Sequence, residues 1–172
     1  MGPDVFEKFL ITLDFHESKL LLAPLPKRPG PTDDDEDLQD RYVAPELQSF
    51  TKFYRFGDVI VVPVVVSDKT TGNFILDTGA FLNPISTKLA SKVTKGKAES
   101  VWPGIKVILQ FAKMRIESNV LPLVSMDRIS SQGATEIAGF IGIRILAQTK
   151  MTIDYRDGLV NLEAYVSKKA RE

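Results

Sequence analysis

Acid–base chemistry in this chain has to come from carboxylates. The 172 residues contain no cysteine and a single histidine, His16. That composition excludes a thiolate nucleophile, a thiolate metal site and a multi-histidine zinc site, and it makes any Ser-His triad depend on one side chain. His16 falls beside a hairpin turn on its polar face, no Gly-x-Ser-x-Gly elbow accompanies it, and it reads as an exposed turn residue. The carboxylate that stands out is Asp77, in Phe74-Ile75-Leu76-Asp77-Thr78-Gly79-Ala80, where an apolar strand ends abruptly in an acid. Burial there favours the neutral carboxyl while Thr78 and main-chain donors can hold the anion, so one loop offers opposing means of tuning a proton. Gly79 permits another backbone to approach closely. Asp, Thr and Gly also favour ordinary turns, and the tripeptide alone is equally compatible with an unrelated β-barrel or sandwich.

The elements that must position this loop read mostly as strands. Val59 to Val66 is apolar and β-branched on both faces, as in a strand covered on two sides, although Pro63 requires an edge or a bulge. Phe74 to Leu76 forms the next run, with Ile105 to Phe111 and Met114 to Leu123 further on. Ser86 to Val93 is the one predicted helix, with Ser86 placed to cap it and Ile85, Leu89 and Val93 at four-residue spacing. Near the end, Asp157-Gly158 predicts a two-residue hairpin turn that sets Tyr155 opposite Val160 and Ile153 opposite Leu162. Met151, Ile153, Tyr155, Val160 and Leu162 then share an apolar face, and Thr152, Asp154, Arg156, Asn161 and Glu163 a polar one.

The same pattern occurs at the start of the chain. An ungapped offset places Gly2 on Gly142, Thr12-Leu13-Asp14-Phe15 on Thr152-Ile153-Asp154-Tyr155, and Leu20 and Leu22 on Val160 and Leu162. Read as an internal repeat, residues 1–23 are the terminal hairpin of a preceding lobe whose front is missing, with Met1 or Met1-Gly2 an expression remnant. The alternative is two hairpins that share only a binary pattern. The repeat reading expects Ile11, Leu13, Phe15, Leu20 and Leu22 to be covered, through pairing with the Met151 to Leu162 hairpin or by another chain. Residues 24–42, with four prolines and then Asp33-Asp34-Asp35-Glu36-Asp37, read as a solvated linker, residues 43–165 as the main lobe, and 166–172 as a charged tail. The acidic run lacks the alternate spacing and turn glycine of a calcium loop.

Charge and composition narrow the partners. Twenty-two Lys plus Arg balance twenty-two Asp plus Glu, so no global field draws the chain to nucleic acid. No apolar run approaches the roughly 18 residues of a membrane span, and no signal-peptide pattern opens the chain. With 44% apolar and 26% charged residues it belongs to the globular range. Nothing calls for a metal or cofactor.

Downstream of Asp77, Gly139-Phe140-Ile141-Gly142 places an apolar pair before a glycine, without the Gly-Lys-Ser/Thr ending of a phosphate loop. Together with Asp77-Thr78-Gly79-Ala80 and the short helix after it, this resembles the retropepsin-like aspartic proteases, over about residues 55 to 165; both hairpins look like the ends of lobes in its bacterial, tandem-lobe members. The resemblance implies an all-β, closed-barrel lobe with one short helix that supplies one carboxylate. A second lobe, or a homodimer, supplies another. In that reading the two aspartates share a proton and activate water against a peptide bond of a peptide or protein substrate. Asp77 would be the acid–base group, Thr78 would bond across the axis, Gly79 would permit the approach, Ala80 would belong to the supporting loop, and Phe140, Ile141 and Gly142 would back it. Periplasmic or secreted proteins are the nearer analogy for its compartment.

Two departures stand against that pattern. Family members often carry Asp or Asn two residues after the supporting glycine; Gly2-Pro3-Asp4 has it, whereas Gly142-Ile143-Arg144 does not. A flap hairpin should precede Leu123, and only Lys95-Gly96-Lys97 and Trp102-Pro103-Gly104 offer a tip, Trp102 being either a flap aromatic or a packing residue. The alternative function is therefore a catalytically inactive lobe serving dimerisation or peptide binding.

Overall fold

The structure, a computed structural model, describes residues 3–29, 41–67, 70–94, 105–133 and 135–165. Both flap candidates, Gly2, the acidic run and the 166–172 tail lie outside the described residues. A short helix α1 (Pro3–Phe6) opens the chain, followed by β1 (Phe9–Asp14) and β2 (Lys19–Pro24). A 3-10 turn at Pro45–Leu47 leads to β3 (Thr51–Lys52), β4 (Tyr54–Phe56), β5 (Val59–Val66) and β6 (Thr70–Leu76). Next come β7 (Ile85–Ser86), α2 (Thr87–Thr94), β8 (Ile105–Phe111), β9 (Met114–Leu121), β10 (Leu123–Val124) and α3 (Asp127–Gly133). The chain closes with β11 (Ile137–Ile141), α4 (Ile143–Leu146), β12 (Thr149–Asp154) and β13 (Leu159–Ala164). Strands dominate, as expected, and the helical content of the described residues is small but divided among four short helices. The predicted helix lies at α2, where Ser86 caps it: its Oγ accepts the Leu89 amide at 3.0 Å.

The larger sheet curls into a half-barrel, in the order β10-β7-β11-β6-β5-β8-β9, with β4 added to one end of β5. Its β5 is covered on both faces: Val62, Val64 and Val66 join the main core, and Val61 packs with Ile75 and Ile137 in a smaller outer cluster. Pro63 is accommodated because β5 has a local edge. On one side it bonds β6 along its length, but on the other β4 reaches only Val61 and β8 begins at Val65, so no described strand asks Pro63 for an amide proton.

The smaller sheet is antiparallel throughout, in the order β2-β1-β12-β13-β3. Its Met151, Ile153, Val160 and Leu162 enter the same core as the half-barrel. The hairpin register differs from the predicted one by two residues: Ile153 faces Val160, and Asp154 faces Leu159. A four-residue loop replaces the two-residue turn because Asp154 Oδ1 accepts the Asp157 amide at 3.0 Å and Gly158 takes the left-handed conformation, φ +65°. A slip of two keeps every side chain on its expected face. The face expected to be polar and solvated is nevertheless partly covered. Asp154 and Asn161 are buried, since residues 41–53 return across the sheet and Leu159 packs with Ala44 and Leu47.

The opening hairpin repeats this construction element for element. Helices α1 and α4, strands β1 and β12, and strands β2 and β13 have matching bounds at an offset of 140 residues. Asp14 Oδ1 accepts the Glu17 amide at 2.9 Å, as Asp154 does for Asp157, and Ser18 takes the left-handed conformation of Gly158. The two copies pair through β1 and β12, one of the arrangements the repeat implies. Coverage of the apolar face is incomplete. Ile11 is buried, and Leu13 and Phe15 pack partly against the core, but Leu20 and Leu22 are exposed.

Candidate active site

Asp77 follows directly on β6, and its loop is built around a strand that arrives from far along the chain. Strand β11 lies between β6 and β7, parallel to the first and antiparallel to the second. The residues joining β6 to β7 therefore have to arch over the end of β11. Phe140 and Ile141 are in register with Ile75 and Leu76, and the Asp77 amide donates to the Ile141 carbonyl at 3.0 Å. Beyond the strand, Gly142 donates to Asn83 Oδ1 at 2.7 Å and Ile143 to the Ala80 carbonyl at 2.8 Å. Phe140 donates to the Pro84 carbonyl at 3.0 Å. Each end of the arch is thus tied to the same segment, Phe140 to Ile143.

Close packing explains the glycines of that segment. A Cβ on Gly142 would lie 2.3 Å from the Ala80 carbonyl oxygen and 2.6 Å from that of Leu82, so any side chain there would force the arch away. At Gly139 a Cβ would meet the Phe74 ring and the Pro84 oxygen, both at 2.5 Å. Gly79 is different. Among the described residues a Cβ on it would meet only Asp77 Oδ1, at 3.2 Å.

Inside the arch, Asp77 Oδ1 accepts the Gly79 amide at 2.8 Å, and the Ala80 amide donates to the Asp77 carbonyl at 3.2 Å. The carboxylate is thereby held by its own turn while remaining partly exposed, and Thr78 and Gly79 are exposed beside it. Chemically, the loop presents one oriented carboxylate and one hydroxyl at the surface. The structure brings all seven residues singled out from the sequence, Asp77, Thr78, Gly79, Ala80, Phe140, Ile141 and Gly142, into this one unit.

One residue, Asn83, and one contact, that of Arg144 with Phe81, were not anticipated. Asn83 is buried, and its Oδ1 joins the arch to the Gly142 amide, a donor that arrives on a distant strand and that the local sequence does not name. The guanidinium of Arg144 lies 4.4 Å from the ring centre of Phe81, which is 63% exposed. This cation–π stack occupies the flank of the arch, where the family pattern would have Asp or Asn.

The buried carboxylates lie in the hairpins, Asp14 in the first and Asp154 and Asp157 in the second. Asp157 takes ion pairs from Arg28 and Arg156, the latter at 2.8 Å, and accepts the Tyr42 amide at 3.3 Å. Burial pushes its carboxyl up, but the hydrogen bonds and charges of the two arginines outweigh burial and hold it below the ordinary value. Asp154 is raised, chiefly by burial, and its Oδ2 has no partner among the described residues. His16 is exposed and stacks on Tyr165, with ring centres 4.0 Å apart. Among the described residues no group of three or more His, Asp or Glu is placed to hold a metal ion, and no helix is long and apolar enough to cross a membrane.

No protein-family model matches this chain, and neither does any curated protein. Among solved structures, it is similar to a retropepsin-like aspartic protease from Rickettsia conorii, with 16% sequence identity and a TM-score of 0.46, over 68% of this chain and 91% of that one.

Proposed function

We propose that this chain contributes one lobe, and one catalytic carboxylate, to an aspartic endopeptidase. The observation that carries the reading is the arch: Asp77 is oriented by the Gly79 amide at a partly exposed position, on a loop tied at both ends to Phe140–Ile143. A rigidly supported acid at a surface suits a site completed by a second, facing carboxylate. Two such acids share one proton, because both cannot be ionised at close range. The ionised member takes a proton from water as the water oxygen attacks the peptide carbonyl. The protonated member donates to the carbonyl oxygen, and the tetrahedral intermediate collapses with a proton delivered to the leaving amine. Peptide or protein substrate would lie extended between the lobes, with Thr78 and Gly79 at the junction. This role accounts for a glycine at 79 where the chain itself provides almost no close neighbour.

A second reading has its own observation. The Arg144–Phe81 stack beside the arch replaces the expected support residue, which favours a lobe that binds peptide or another lobe without cleaving.

One experiment separates these readings. Cleavage of an unstructured protein at mildly acidic pH is compared between the wild-type full-length parent and its Asp77→Asn form. The expected outcome is intact folding with cleavage reduced at least about a thousandfold, as for loss of an essential acid–base group. Equal cleavage by the two forms removes Asp77 from the mechanism, and absence of cleavage in both, with peptide binding retained, selects the binding module. If two copies of this chain supplied the pair, activity per molecule would fall on dilution below the dimer dissociation constant.

A further inference from the structure

We infer that Arg144, stacked on Phe81, is a specificity-determining residue that receives a carboxylate of the bound peptide, so that this lobe prefers peptides with an acidic side chain a few residues from the bond cleaved. The inference rests on the proposed function in treating the bound molecule as a peptide substrate; the receiving site itself comes from the geometry beside the arch.

Both members of the stack stand on fixed backbone. Arg144 lies on α4, whose Ile145 and Leu146 are buried, and it occupies the exposed side of that helix. The preceding amide, that of Ile143, donates to the Ala80 carbonyl at 2.8 Å, and the Gly142 amide donates to Asn83 Oδ1 at 2.7 Å. Phe81 sits between those two points of attachment, with its ring 63% exposed on the same arch that carries Asp77.

The guanidinium is available to a ligand. Arg28, Arg55 and Arg156 are each paired with a carboxylate. Among the described residues no carboxylate or carbonyl oxygen accepts from the guanidinium of Arg144, which lies instead 4.4 Å from the centre of the Phe81 ring. A guanidinium over a ring face keeps N–H donors for a second partner, and two of them fit a carboxylate as a fork. The stack also restrains a long side chain before any ligand arrives, which lowers the ordering cost of binding.

The surrounding charge selects the sign of the ligand. Between Thr78 and Pro84, and between Phe140 and Ile143, no residue is charged. Asp77 and Arg144 are therefore the opposed charges at the two ends of this surface. A carboxylate on the peptide is drawn to Arg144 and repelled by Asp77, whereas a basic side chain is repelled at Arg144. Phe81 follows Asp77 by four residues, a span of at most about 14 Å and the reach of about four residues of extended peptide. The acidic residue should accordingly lie within about four positions of the bond cleaved.

The test uses the full-length parent and a blocked peptide of neutral residues, chosen from a sequence that the parent cleaves or binds, with one Glu or one Gln placed at each position in turn. Acetyl and amide ends remove the terminal charges, and at about pH 5.5 the Glu side chain is ionised. At one position the wild type should cleave the Glu peptide with kcat/KM about tenfold above the Gln peptide, the difference lying in KM. Arg144→Gln should bring that ratio to about one, Arg144→Lys should keep part of it, and Arg144→Glu should invert it in favour of Lys at the same position of the peptide. Phe81→Leu retains the charge without the ring and should lower the ratio less than Arg144→Gln does. A wild type without Glu preference overturns the proposal, and so does a ratio unchanged in Arg144→Gln, including one retained while kcat falls on both peptides, as lost support of the arch would give. Binding of the same peptides to the Asp77→Asn form keeps the two claims apart. Glu-dependent affinity that Arg144→Gln removes, in a parent that cleaves nothing, ends the protease reading alone; cleavage without Glu preference ends this one alone; absence of both cleavage and Glu-dependent binding ends both.

Discussion

The hairpins β1–β2 and β12–β13 are one design in two environments. Both close a four-residue loop with an aspartate accepting the amide three residues on, and both place a left-handed residue just before the second strand. Among the described residues only the second is covered along its outer strand. Strand β13 is walled in by β3 and the half-barrel, whereas β2 presents its leucines to solvent. Local conformation thus depends on the turn and on alternation along the strands, while the contribution of each side chain to stability depends on what the rest of the chain lays against it.

Equivalent substitutions in the two hairpins should accordingly have unequal effects. The widest gap is expected for Leu162→Ala against Leu22→Ala. Leu162 is fully buried, so its truncation should cost about 3 kcal/mol in chemical denaturation. Leu22 is half exposed, and in this chain its truncation should change stability by less than about 0.5 kcal/mol. Comparable losses at the two positions would mean that β2 is already covered.

Next in size is Asp157→Asn, set against Glu17→Gln at the equivalent position. Asp157 is buried between Arg28 and Arg156, and losing its charge should cost about 2 kcal/mol at neutral pH. Its carboxyl is held below the ordinary value, so the stabilisation is fully present above an unfolded Asp value of about 3.9 and disappears as pH falls through the folded value. The difference between wild type and Asp157→Asn should therefore close in acid. Asp154 has the opposite sign. Its raised value favours the protonated form in the fold, so the stability linked to it is present in acid and is lost as pH rises through the folded value. Asp154→Asn should gain relative to wild type over that rise. Glu17 is exposed and holds only surface contacts with Lys19 and Tyr165, so Glu17→Gln should shift the unfolding curve far less than Asp157→Asn.

The smallest effects should differ in sign. Gly158→Ala puts a Cβ on a left-handed residue, 3.3 Å from the Phe53 carbonyl oxygen, and should cost about 1 kcal/mol in thermal unfolding. Ser18→Gly relieves the same backbone conformation where a side chain already stands, and should stabilise by roughly 0.5 kcal/mol. Effects of the same sign at both positions would break the equivalence of the turns.

Much of this architecture is written in short stretches of sequence. Alternation in Met151–Ile153 and Val160–Leu162 assigns the core face, Ser86 caps α2, and the repeat is readable from matched apolar positions because a two-residue strand period depends on near neighbours alone. The Asp77-Thr78-Gly79-Ala80 and Phe140-Ile141-Gly142 segments are recognisable for the same reason, each being a local string. What the strings omit is where distant backbone arrives. The hairpin register slipped by two because the Asp154 side chain selects the longer loop, and an even slip leaves the binary pattern unable to report it. Burial of Asp154 and Asn161 came from the return of residues 41–53, and the role of Asn83 from β11 entering between β6 and β7. The exposure of Leu20 and Leu22 belongs with these. Their sequence asks for a cover exactly as hydrophobic as that over Val160 and Leu162, but covering is a contact between segments far apart along the chain, and apolar spacing specifies a face without naming what packs on it.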